Sequence, residues 1–174
     1  MKNTSLCYIE NDGKYLMLHR VKKENDANKD KWSGIGGKFE DKESPQDCAL
    51  REIREETGLL FRTEELRYRG IVTFVSDMWE TEYMHLFTAD VTERVRAVSA
   101  ASEKNTGSNS SGSVIRTPSE NDEGVLEWVE KEKITELPIW EGDKVFLNLL
   151  NRDIPFFSLK LVYEGEKLMD SILY

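Results

Sequence analysis

The chain is poor in several things, and each shortage narrows what it can be. Two cysteines in 174 residues, Cys7 and Cys48, cannot build a disulfide framework and read as buried thiols in a reducing, cytoplasmic setting. The two histidines, His19 and His85, have no second His or Cys at a ligand spacing, so both are expected to serve strands instead of a zinc-type site. Nowhere do about 18 apolar residues run consecutively, and Met1 to Gly13 lacks the apolar core of a secretory signal, so the sequence predicts no membrane span and no export. Basic charge is also short. The 24 Lys and Arg against 33 Asp and Glu leave a net charge of -9, which disfavours long nucleic acids and anionic membranes as partners. An acidic protein that handles phosphates needs local help from metal ions, helix N-termini or individually placed cations.

What is present suffices for one α/β domain spanning 1–174, with 39% hydrophobic residues for a core. Leu6 to Glu10 and Tyr15 to Arg20 read as a hairpin around Asp12-Gly13, a strong turn signal. Val21 to Lys31 is charged and aperiodic, as an exposed loop is. Ser33-Gly34-Ile35-Gly36-Gly37 follows, where glycine permits otherwise forbidden dihedrals and close approach to a ligand or strand. Ser44-Pro45 opens a helix and Gly58 closes it after Thr57. Leu66 to Val75, Glu82 to Val91, Val125 to Val129, Phe156 to Tyr163 and Lys167 to Leu173 have strand character, and Asp143 to Asn151 has helical spacing. Ser99 to Asp122, rich in Ser, Asn, Gly and Thr, is expected to be a disordered surface insertion.

The chemistry is concentrated on the helix after Ser44. At about 100° per residue, Glu52, Glu55 and Glu56 share one arc while Leu50, Ile53 and Thr57 share another. Like charges at this spacing repel by a few tenths of a kcal/mol per pair, roughly, and a divalent cation reverses that penalty. Hard carboxylate oxygens suit Mg²⁺, or Mn²⁺, with waters and substrate phosphates completing the shell. A solvated, salt-bridged helix face would look similar in isolation. The surrounding pattern separates the two: Gly37, five residues, Glu43, seven residues, Arg51-Glu52, Ile53, Arg54, Glu55-Glu56, Thr57, Gly58 and Leu59. A match at all these positions arises by accident on the order of once in 10⁹ windows.

This segment is identified as the catalytic box of the Nudix hydrolases. The resemblance implies an α/β/α sandwich with a mixed sheet and a loop-helix-loop box that binds metal against a nucleotide diphosphate. It also implies that Glu52, Glu55 and Glu56 are metal ligands, that Glu43 and Arg51 steady the helix by ion pairing, and that Gly37 makes the turn. Glu123 lies where several family members place an extra carboxylate as ligand or base, so the base could be Glu52, Glu56 or Glu123. Lys38 is placed to meet the polyphosphate or to stand exposed on a strand.

Beyond the box the chain resembles the MutT-type enzymes that hydrolyse oxidised purine nucleoside triphosphates such as 8-oxo-dGTP. The carriers are Lys31 to Lys38, Gly70 to Val75, Met84 to Phe87, Leu137 to Asp143 and Phe156 to Leu173. The resemblance implies base contacts from Ser33, Phe74, Trp140 and Asp143, with Trp140 stacking and Asp143 hydrogen bonding. Ser33 stands where the human member has asparagine, and Gly142-Asp143 where it has two aspartates. Core packing is the competing assignment for Trp140 and Phe74. The expected partner is a small nucleotide, with monomer and homodimer both open. The box alone also admits ADP-ribose, dinucleoside polyphosphates, capped RNA or a non-catalytic nucleotide sensor.

Overall fold

The hairpin that opens the chain shows why the sheet forms as it does. Strands β1 (Lys2–Asn11) and β2 (Lys14–His19) turn at Asp12 and Gly13, whose φ angles of 49° and 78° are the left-handed pair that tight hairpins use. The computed structural model describes residues 1–22, 28–104 and 120–174. Along its other edge β1 runs parallel to β6 (Glu82–Asp90), which pairs antiparallel with β5 (Arg67–Ser76). Next come β8 (Phe157–Glu164), parallel to β5, and β9 (Lys167–Leu173), antiparallel to β8. The sheet is mixed.

Alternation along these strands sends side chains to two cores. Tyr8, Tyr15, Met17 and Leu86 face helix α3 (Glu141–Asn151) and meet Phe146, Leu147 and Leu150. Their neighbours Cys7, Ile9, Leu16 and Phe87 face helix α1 (Pro45–Thr57) and meet Ala49 and Ile53. Each fully buried aliphatic or aromatic side chain contributes about 1.5–3 kcal/mol of transfer free energy. The α/β/α sandwich expected from the family resemblance is therefore what the chain builds, and Cys7 and Cys48 are both buried free thiols. Among the described residues, no helix is long and apolar enough to cross a membrane.

The structure differs from the sequence expectations in two places. Ser99 to Lys104, assigned to a disordered insertion on composition, continue helix α2 (Thr92–Lys104), which docks through Val95 on the α1-side core. The Ala-Ser stretch extends a helix already started and anchored upstream, where composition averaged over 99–122 misses it. At the far end of that segment Glu120 bridges to Val125, and Asn121 Oδ1 accepts from the backbone of Glu123 and Gly124 at 2.8 and 2.9 Å. Residues 105–119 of the expected insertion lie outside the described residues.

The second difference is the glycine segment. It forms two short strands, β3 (Trp32–Ser33) on β2 and β4 (Ile35–Lys38) on the first half of β1. Gly37 therefore makes no turn, and its φ is not positive. Glycine is required at 36 because a Cβ there would overlap the Ser5 carbonyl, and at 37 a Cβ would displace the Glu52 carboxylate from its place.

Helix α1 starts where the sequence indicates. Ser44 Oγ accepts from Asp47 N at 3.1 Å, Asp47 Oδ2 accepts from Ser44 N at 3.0 Å, and Gly58 ends the helix at φ 71°. Ser44→Ala is expected to cost about 1 kcal/mol of stability. Urea denaturation checks this: the midpoint falls with the slope unchanged.

Candidate active site

The geometry of the box is organised by one guanidinium. Arg51 Nε and Nη2 donate to the two oxygens of Glu43 at 2.7 and 2.9 Å. Its Nη1 reaches Glu52 Oε1 at 2.7 Å and Glu55 Oε2 at 3.3 Å, and Nη2 also donates to the Lys38 carbonyl at 3.0 Å. Loop, strand β4 and helix α1 are thereby tied at a single side chain, itself only 16% exposed. The fork of donors fits a carboxylate pairwise, which a lysine could not do. The Arg51 hydrogen bonds hold Glu43 down to about 2, reinforced by the Glu40 amide, which donates to Glu43 at 2.8 Å, and opposed by partial burial.

The box carboxylates do not share one environment. Glu55 is about half exposed, with its side chain at 52%, whereas Glu56 is buried at 7% exposure. One Glu56 oxygen, Oε2, is buried without a hydrogen-bond partner. Burial pushes the Glu56 carboxyl up to about 8, helped by the charges of Glu123 and Glu52 and opposed by Arg20 and the Gly36 amide. Glu52 is raised as well, first by burial and then by Glu55 and Glu123 against Arg51. Glu123 thus lies within electrostatic reach of Glu52 and Glu56, from the turn before β7 (Val125–Glu130), and Arg20 pairs with it at 2.6 Å.

These residues fit a divalent cation. The donors are hard oxygens, one is orphaned in a buried position, and their mutual repulsion is what a cation relieves. Among the described residues no three acidic, His or Cys side chains stand close enough together to hold a metal ion by themselves. An open carboxylate edge, completed by water and phosphate oxygens, is the arrangement Mg²⁺ favours.

A cleft of about 750 Å³ runs from Arg51, Glu52 and Glu123 past Gly37 and Ser33 to Trp140 and Asp143. At that far end a recess of about 140 Å³ opens between Phe74, Trp79, Trp140 and Tyr163. Lys38 is exposed at the cleft rim, and Ser33 lines the wall from β3. Trp140 precedes α3, donates its indole N–H to Asn28 at 2.7 Å, and carries the Lys31 ammonium 4.3 Å from its ring centroid. Trp79 and Tyr163 meet it edge-on. Burial raises Asp143 to about 7, the Glu82 charge adds to this, and Lys31 opposes it.

The expected site residues therefore gather along one cleft, with four exceptions. Phe74 lines only the recess, its ring tilted against Tyr163 at 5.0 Å, and Glu43, Glu55 and Glu56 lie outside the cleft lining. His19 stacks on Trp32, and His85 hydrogen-bonds Tyr68. Sequence reasoning missed Arg20, Asn28 and Glu82, which also line the cleft. Glu82 did leave a signal, since it shares strand parity with Met84 and Leu86, a face that should be apolar.

The Arg51 clamp makes a checkable statement about acid stability. Because Glu43 has a lowered pKa in the folded state, its contribution is complete above the ordinary carboxyl value of 4.5 and is lost as pH falls through about 2. Glu43→Gln should cost about 2 kcal/mol at pH 7. In denaturation series at several pH values the gap between wild type and variant should close toward pH 2.

The chain is similar to known proteins in sequence and in fold. The family model described as NUDIX domain matches residues 2–150. An uncharacterized Nudix hydrolase, YvcI of Bacillus subtilis, is 29% identical over 153 residues, covering 86% of this chain and 79% of its own length. The oxidized purine nucleoside triphosphate hydrolase of Mus musculus is 29% identical over 122 residues, covering 69% of this chain and 62% of the mouse enzyme. Among solved structures, the Mutator MutT protein from Bacillus halodurans superposes with a TM-score of 0.74 at 21% identity, over 99% of this chain and 97% of that one. Nudix hydrolases generally use divalent metal ions, usually Mg²⁺ or Mn²⁺. The chain belongs to the Nudix family, as a hydrolase that acts on the pyrophosphate bonds of nucleotide-type substrates.

Proposed function

We propose that this Nudix hydrolase converts purine nucleoside triphosphates, oxidised ones such as 8-oxo-dGTP among them, to the monophosphate and pyrophosphate. The observation that carries this reading is the single cleft joining the acidic box to a recess with aromatic walls and a carboxyl group at Asp143. Aromatic faces and a carboxyl suit a base, and the acidic end suits a metal-bound polyphosphate. The mouse relative named for oxidized purine nucleoside triphosphate hydrolysis supports the same substrate class.

In this reading Glu52, Glu56 and Glu123 hold the cation, with Glu55 at the solvent edge. When bound, a divalent cation supplies neutralisation of the phosphate oxygens and activation of the attacking water. The chain's own residues do the rest. Arg51 and Glu43 hold the loop and helix in register, so that Glu52 is presented at the cleft wall. Gly37 leaves the room that the Glu52 carboxylate fills. A carboxylate of the same acidic group takes the proton of the water. Lys38 at the rim is placed to meet the outer phosphates, Ser33 lines the path of the nucleotide, and Trp140, Asp143 and Phe74 receive its base.

Two experiments test this. Glu56→Gln should keep the metal-free fold but lose Mg²⁺-dependent turnover on the order of 10²-fold, as when one electrostatic stabiliser of a transition state is removed. The thermal stabilisation by Mg²⁺ should vanish with it, and full activity in the variant refutes the metal assignment. A panel of triphosphates, ADP-ribose and dinucleoside polyphosphates should release pyrophosphate from purine triphosphates in preference. Asp143→Asn should alter the order among the purines, and an unchanged order removes Asp143 from base recognition.

A further inference from the structure

Glu82 is a carboxylate on the wrong face of its strand. On β6 it shares parity with Met84 and Leu86, which pack toward the α3-side core, and its side chain is only 16% exposed. An acidic group there is costly unless it is held. It is held twice: Thr4 Oγ1 donates to Oε1 at 2.7 Å, and the Lys2 ammonium meets Oε2 at 2.7 Å. Both partners come from β1, whose parallel register sets Lys2 beside Glu82 and Thr4 beside Met84.

This anchoring leaves work for the carboxylate to do. Each oxygen of an ionised carboxylate accepts about two hydrogen bonds. Thr4 and Lys2 take one on each side, so each oxygen retains one acceptor position. Glu82 lines both the 750 Å³ cleft and the 140 Å³ aromatic recess. So does Asp143, which arrives from the first turn of α3. Two carboxyl groups of unequal environment thus meet at the base end of the site. Glu82 is tied to an ammonium, and Asp143 is pushed up to about 7 by burial, then by the Glu82 charge against Lys31, so that its carboxyl can carry a proton near neutral pH.

We propose that Glu82 and Asp143, brought together from β6 and α3, form a two-carboxyl reader of the hydrogen-bonding edge of a 2-amino-6-oxopurine nucleotide. The two open acceptor positions of Glu82 take the adjacent N1–H and 2-amino donors, and the Asp143 carboxyl donates to O6. An adenine edge would set the N1 lone pair against Glu82 and is disfavoured. A hypoxanthine edge keeps N1–H and O6 but leaves one Glu82 acceptor unfilled. This inference rests on the triphosphate reading above for what enters the cleft, while the edge preference can be measured apart from turnover.

The experiment uses the full chain with Mg²⁺. Binding of dGMP, dIMP and dAMP is measured by calorimetry, and kcat/KM is measured for the three triphosphates, for wild type and Glu82→Gln. Wild type should favour guanine over hypoxanthine and over adenine by about tenfold or more in each case, since an unfilled buried acceptor is penalised. Glu82→Gln, which replaces one acceptor with a donor, should lower the guanine-to-adenine ratio by about tenfold. Wild type binding dGMP no tighter than dIMP overturns the inference, and so does a variant whose ratio falls less than about threefold. The wild-type comparison decides the matter even if the variant folds poorly. Guanine-selective binding without pyrophosphate release from any triphosphate would sink the proposed reaction and leave the base reader standing.

Discussion

The Arg51 guanidinium is the interaction on which the rest of this site depends. It joins Glu43 before the helix, Glu52 and Glu55 on the helix, and the Lys38 carbonyl at the end of β4. These groups come from a loop, a strand and a helix that no backbone hydrogen bond would hold at a common point. A bidentate arginine pair is directional, so it fixes orientation as well as distance. The acidic cluster needs such a brace because its members repel. The Glu56 carboxyl is driven up to about 8 by burial and by Glu123 and Glu52, and the helix carries that cost in place.

The sheet converts this braced acid edge into a site with two chemically different ends. β1 is the shared element. Its first half pairs with β4, placing the glycines of the box beside Ser5, and its other edge pairs with β6, placing Glu82 beside Lys2. One strand thus connects the side that carries the box carboxylates to the side with the aromatic recess. The close approach of β4 to β1 is possible because Gly36 has no side chain to meet the Ser5 carbonyl. Helix α3 covers the opposite face from α1 and contributes Trp140 and Asp143 at its start, where the cleft ends.

Much of this was legible in the sequence because its signals are local. The Ser44 cap, Pro45, the Gly58 stop and the Asp12-Gly13 turn each act within a few residues, and each appears where it was expected. The box spacing also carries its meaning locally, since Glu43 and Arg51 are close enough in the chain for about two helix turns and a short loop to bring them together. Helix α2 was not assigned from the sequence at all: Thr92 to Val98 received no element, and Ser99 to Lys104 have loop-like composition although their helicity follows from the turns upstream. The role of Gly37 was misread for a related reason. A glycine seen alone suggests a turn, whereas here it yields space to Glu52, fifteen residues further along the chain and on another element.

The sequence by itself determined the family, the fold class and the reaction class, because these reside in spacing along one continuous segment and in the alternation of the strands. Tertiary structure decided which carboxylates matter in which way. Glu55 and Glu56 are neighbours in sequence, yet one faces solvent and the other is 7% exposed, since the helix turns about 100° between them. Glu82 and Asp143 are 61 residues apart and meet only through the cleft that β6 and α3 share. Burial and charge proximity are properties of the packed chain, and they set the protonation of these groups and hence what each can recognise.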